Sequence, residues 1–174
     1  PCGTLFPYTT LFRSVAVVRD PAGRLAEITG KKPADASLLY EGDYRIDEGS
    51  VRLDFFAGAS VEITAPARFS VVSPVHLAVN EGSMAVQVYD SRSMFKISSP
   101  KSAYIDLGTE FAVNVDAKGP SDLQVYKGSV LASSLSEQGN SERVRLVKSH
   151  EVVRVGGGRA PLENGSEKTP FRRM

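Results

Sequence analysis

Apolar and polar residues alternate with a period of two through most of residues 51 to 155. "VRLDF" places Val51, Leu53 and Phe55 on one side, "VEI" places Val61 and Ile63, "RFSVV" places Phe69 and Val71, and "LAV" places Leu77 and Val79. The same alternation returns in "MAVQVY" (Met84, Val86, Val88), "FKI" (Phe95, Ile97), "FAVNVD" (Phe111, Val113, Val115), "LQVY" (Leu123, Val125), "VRLV" and "VVRV". A period of two belongs to an extended strand with one buried face, and no apolar stripe in this span keeps a helical spacing for three turns. The pattern predicts an all-β domain with little or no helix, an antiparallel β-sandwich or jelly-roll-like fold, with solenoid-like stacking as a variant. Strand signals spaced about eight to twelve residues apart fit that class.

Between the strands stand turn signals: "EGS" at 48 to 50 and again at 81 to 83, "AGA" at 57 to 59, "KGS" at 127 to 129, and Ser-Pro at 73 and 99. Glycine supplies positive φ, and proline keeps its predecessor extended while removing a ladder donor. Each is expected to close one strand and open the next. The intervals between the three "GS" turns are unequal, which argues against a strict repeat array.

The flanks are less regular. "VAVV" and "LAEI" around "RDPAGR" predict a hairpin with Gly23 in its turn, and "KKPADASLLY" carries a weak signal for a short helix after Pro33. Residues 15 to 155 are expected to form one β domain. After Val155, "GGGRAPLENGSEKTP" is rich in Gly, Pro and charge, so residues 156 to 174 are expected to be a linker. Ahead of the domain, "LFPYTTLFRS" keeps no period, is broken by Pro7 and lacks the parts of a signal peptide. Thr4 to Ser14 is similar to the conceptual translation of a short-read sequencing adapter, so residues 1 to 14 are expected to be a non-native tail.

The 174 residues carry 21 basic and 20 acidic side chains; without residues 1 to 14, which hold Arg13 and no acid, the charges balance. A neutral chain has no electrostatic footprint for nucleic acid or an anionic membrane, and neither is expected as a partner. The single cysteine, Cys2, lies in the tail, so the domain has neither a disulfide nor a thiolate metal site. No apolar run approaches the roughly 20 residues that span a bilayer.

Candidate chemistry is sparse. His76 and His150 are the only histidines, each beside a strand, with no HxH or HExxH spacing to make a zinc site. Gly156 to Gly158 lacks the Lys-Ser/Thr of a phosphate cradle, and the Trp-free chain offers no sign of an aromatic cleft around Asp106 and Glu110. Asp54 and Asp90 read as outward positions of amphipathic strands, and "NGS" at 164 to 166 has the form of a glycosylation acceptor. No catalytic, cofactor or metal residue is assigned, and the chain is expected not to be an enzyme.

"DLGTEFAVNV", residues 106 to 115, resembles the signature of the FecR domain family, especially the variant found in planctomycetes and related bacteria. The flanking order is similar too. "LLYEGDYRIDEGSVRLDFFAGASVEITAPARFSVVSP" resembles that family's run, with Ala65 where glycine is usual. "LAVNEGSMAVQV", "FKISSPKSAYIDLGTEFAV" and "LQVYKGSVLA" match its later segments, and "FRRM" weakly resembles a short motif that the family carries after the domain. The resemblance marks Asp106, Leu107, Gly108, Thr109, Glu110 and Phe111 as a structural signature. Within it Gly108 is expected to turn the chain, Leu107 and Phe111 to point inward, and Thr109 to bond back to the turn.

The resemblance implies the periplasmic part of a regulator held in the bacterial inner membrane by a single upstream span. Such a module receives a signal from an outer-membrane transporter's signalling domain. It acts on an extracytoplasmic-function sigma factor through a cytoplasmic segment that is not in this sequence. The planctomycete-like variant is often joined to a laminin-G or concanavalin-like module, so an extracytoplasmic scaffold or a glycan-associated module is the alternative.

Overall fold

The computed structural model describes residues 14–19, 25–29, 38–90, 92–117, 120–136, 138–156 and 163–164. They form fifteen strands and, among the described residues, no helix. In chain order these are β1 (Ala16–Arg19), β2 (Leu25–Thr29), β3 (Leu38–Leu39), β4 (Gly42–Ile46), β5 (Ser50–Phe55), β6 (Ala59–Ser73), β7 (His76–Val88) and β8 (Lys96–Ser98). Next come β9 (Ser102–Asp106), β10 (Glu110–Val115), β11 (Ser121–Lys127), β12 (Ser129–Leu135), β13 (Ser141–Lys148), β14 (Val152–Val155) and β15 (Glu163–Asn164). All pairings are antiparallel except β7 with β8.

The long hairpin β6–β7 organises the rest. Its two strands pair from Ala59↔Val88 to Thr64↔Ser83 and again from Arg68↔Glu81 to Ser73↔His76, with the ladder interrupted between. On the first stretch β6 takes β5 as its other neighbour and β7 takes β10; on the second they take β4 and β8. The hairpin therefore belongs to two wings. One runs β1, β5, β6, β7, β10, β11, β14, β15, and the other β2, β4, β6, β7, β8, β9, β12, β13.

At the interruption the Ala65–Pro66 peptide is cis and Gly82 has φ +128°. A Cβ on Gly82 would stand 2.7 Å from the Ala67 Cβ, so the two backbones meet where only glycine fits. This corrects two expectations. "VEI" and "RFSVV" are one strand, as are "LAV" and "MAVQVY", and "EGS" at 81 to 83 is a bend inside β7. The ladder on either side of the bend supplies the hydrogen bonds that a true turn would have ended.

The core lies between the wings: Val51, Leu53, Val61, Ile63, Val86, Phe111, Val113 and Leu123 from one, Ile46, Phe69, Leu77, Ile97, Tyr104 and Val130 from the other, all buried. Each such side chain contributes about 1.5 to 3 kcal/mol. Phe55 meets Phe95 edge-on with centroids 5.0 Å apart, tying β5 to the segment that enters β8. The all-β, mostly antiparallel sandwich-like expectation holds.

One flank expectation changes. β1 and β2 do not pair: β1 joins β3 and β5, while β2 joins β4, so the predicted hairpin opens into opposite wings. Val17 lies opposite Leu38 and Asp54, and Val18 opposite Leu53, positions a tight 15-to-29 hairpin would forfeit. Within the expected linker, Glu163–Asn164 pairs with Val153 and Arg154. Residues 1–13, the expected short helix around 33–37, Gly157, Gly158 and 165–174 lie outside the described residues.

Candidate functional site

Three tight connections carry the chain from wing to wing at one end of the molecule, and they lie side by side. Residues 107–109 join β9 to β10, Gly128 joins β11 to β12, and residues 149–151 join β13 to β14. The Leu107 N–H donates to the Ser129 carbonyl at 3.2 Å, and the Ser149 N–H donates to the Gly128 carbonyl at 3.0 Å. His150 donates to Val125 at 2.7 Å, and Val125 donates to Glu151 at 3.1 Å. Each turn has one residue in the left-handed region: Gly108 at +86°, Gly128 at +80° and His150 at +69°.

The first turn is held from beneath. Asp106 is fully buried and accepts from the Gly108 N–H at 2.8 Å and from the Thr109 hydroxyl. A side chain that satisfies its own backbone two residues on makes an Asx turn, and this one is sealed, because Thr109 is also buried. Phe111 enters the core. Glu110 is half-buried and opposes Lys127 and Gln87 across its two neighbouring strands. Asp106 thus faces the interior, whereas Glu110 is half-buried.

Leu107 departs from the expectation that it points inward: it is 46% exposed at the tip of the turn. The alternation breaks there because the turn, unlike a strand, places Asp106 and Thr109 inward together. Asp106 is a polar residue in line with buried Ser102 and Tyr104 on β9, a placement that was not read from the sequence.

Leu107 has exposed apolar company on neighbouring segments: Phe56, Tyr89 and Met94, exposed by 61%, 63% and 57%. Main-chain bonds tie those segments to the signature turn. Asp106 donates to Phe95 at 2.9 Å, Val88 to Thr109 at 3.0 Å and Tyr89 to Gly58 at 2.8 Å. Charged pairs border the group. Arg92 grips Asp90 at 3.0 and 3.1 Å, and its hydrogen bonds hold the Asp90 carboxyl below the usual carboxylate range. Burial pushes Asp54 up, yet hydrogen bonds from Ser60 and Arg52 outweigh it and leave Asp54 lowered.

Elsewhere the polar interior is quiet. Tyr104 is buried, its hydroxyl 2.6 Å from Ser121 Oγ, which lies 2.5 Å from Ser102 Oγ; burial pushes Tyr104 up to about 12. His76 Nε2 lies 2.8 Å from Ser98 Oγ, and burial, with help from Lys96, lowers its pKa. Among the described residues, no three His, Cys, Asp or Glu side chains come together as a metal site, and no helix is long and apolar enough to cross a membrane. No protein-family model matches the chain, and no curated protein matches it.

Proposed function

We propose that the chain is an extracytoplasmic FecR-like sensor module whose signature turn presents a protein-docking end. One observation carries the reading: a row of three bonded turns leaves Leu107 exposed, and main-chain bonds tie it to segments that carry exposed Phe56, Tyr89 and Met94. Exposed apolar residues that gather into a contiguous patch mark surfaces used for association. The residues that resemble the family signature serve that turn, which supports reading them as scaffold. The partner of this end is the periplasmic signalling domain of an outer-membrane transporter, and the sigma factor is reached through a segment beyond this sequence.

The test is capture of the chain by such a signalling domain, immobilised, with Leu107→Asp and Met94→Asp alongside the wild type. The expected outcome is capture by the wild type and loss with either variant, at unchanged melting temperature. Capture that ignores both variants removes the docking end. Absence of capture together with glycan-array binding that depends on Tyr89 replaces the sensor reading with the carbohydrate-associated one.

A further inference from the structure

The chain carries sulfur on one cysteine and three methionines. Cys2 and Met174 lie outside the described residues, Met84 is paired between Ile63 and Val113 and is only 2% exposed, and Met94 is 57% exposed. Among the described residues, Met94 is thus the one sulfur that water reaches freely. Its backbone is unusual as well. Met94 has φ +47°, a left-handed conformation that is strained for a residue with a side chain and open to glycine. Both neighbours are anchored: the Ser93 N–H donates to the Asp90 carbonyl at 3.0 Å, and the Phe95 carbonyl accepts from Asp106 at 2.9 Å. Phe95 itself is fully buried with its ring against Phe55, while the Ser93 hydroxyl is buried without a hydrogen-bond partner among the described residues. The segment therefore holds a large apolar side chain in water at a local cost, and outliers of this kind gather at functional positions.

A leucine would give an apolar contact of the same size; what methionine adds is an oxidisable thioether. Resting on the docking reading above, we infer that Met94 is a redox modification site, at which a hydroperoxide turns the docking end off. One peroxide oxygen passes to the thioether: an S–O bond forms, the O–O bond breaks, sulfur gives up two electrons, and with hydrogen peroxide the other oxygen leaves as water. The sulfoxide is polar, and setting it against an apolar partner strips its oxygen of water without a donor in return. Thiol-dependent reduction of the sulfoxide restores the apolar side chain.

Peptide mapping of the full chain during exposure to hydrogen peroxide reads the site, and capture by the immobilised signalling domain reads the effect. Met94 is expected to oxidise at least about tenfold faster than Met84, as exposure dictates. The oxidised chain is expected to bind at least about tenfold more weakly, at unchanged melting temperature. Met94→Leu, compared with itself before and after peroxide, is expected to show no such loss, which assigns the effect to this sulfur and not to Cys2 or Met174. Met94 oxidising no faster than Met84 overturns the inference, as does an oxidised chain captured as well as the untreated one, or a loss that Met94→Leu shares. Failure of the untreated chain to be captured is a different result: it removes the docking reading, and this inference with it.

Discussion

Gly128 lies against Gly108: a Cβ added to Gly128 would stand 2.6 Å from the Gly108 carbonyl oxygen and 2.7 Å from Thr109 Cγ2. The second turn in the row is thus packed on the backbone of the first, at a distance no side chain tolerates.

Gly139 provides the control, since it has φ +79° against +80° at Gly128 yet nothing within 4 Å of a built Cβ. Gly139→Ala should cost about 1 to 2 kcal/mol, the strain of a left-handed alanine. Gly128→Ala should cost about 1 to 3 kcal/mol more, for displacing the neighbouring turn. Urea denaturation of the two variants checks this, and equal losses would show that the turns do not constrain each other. Gly108→Val, β-branched at φ +86°, should likewise lose about 1 to 3 kcal/mol.

Thr109→Val keeps the shape of the side chain and removes the donor to Asp106, leaving a buried carboxylate with the Gly108 N–H as its remaining bond from the signature turn. A loss of about 1 to 3 kcal/mol is expected, and Thr109→Ser, which keeps the hydroxyl, should recover most of it. Asp106→Ala should be at least as harmful as Thr109→Val, because it strands both donors. If Thr109→Ser is as unstable as Thr109→Val, the hydroxyl bond is not what holds the turn.

Tyr104 holds its proton up to about 12 in the folded protein because it is buried, whereas an unfolded tyrosine ionises near 10. Above pH 10 the unfolded chain therefore binds fewer protons, and stability should fall as pH rises through that window. Tyr104→Phe should flatten the fall. At neutral pH it should cost about 1 to 3 kcal/mol by leaving Ser121 and Ser102 short of a partner. Phenolate absorbance against pH, recorded beside alkaline unfolding curves, separates the two effects.

His76 has the opposite charge sense. Its folded pKa is lowered by burial and by Lys96, so below about 6.5 the unfolded chain takes up the proton first. The stability it contributes is complete above that pH and is lost as pH falls through the lowered folded value. His76→Gln, which can still bond Ser98, should show a smaller drop in unfolding midpoint between pH 7.5 and 5.5 than the wild type. Parallel drops would mean that other groups set the acid sensitivity.

The strands were legible because one face of each is buried, and Phe111, Val113 and Val115 declare that face by alternation alone. The bend at Gly82 was not, because "EGS" has the same residues whether a chain reverses or merely folds over a neighbour; the difference lies in Ala67, 15 residues away. Likewise β1 and β2 look like a hairpin locally, and what separates them is the prior claim of β5 and β4, which lie further along the chain. The signature was readable as a turn from its glycine. That Leu107 points out and Asp106 points in depends on which residues close the turn, and the period of two does not extend through it.

The β6–β7 hairpin has a mechanical consequence. Each of its strands runs unbroken through both wings, each wing being laid on by its own neighbours. The two layers share these bent strands, and sliding one over the other would tear the ladders on either side of the bend. Hydrogen exchange in β6 and β7 should accordingly report one cooperative opening for the two wings. A push received at the turn end is carried through such a body as displacement of the whole, like a key turned by its bow.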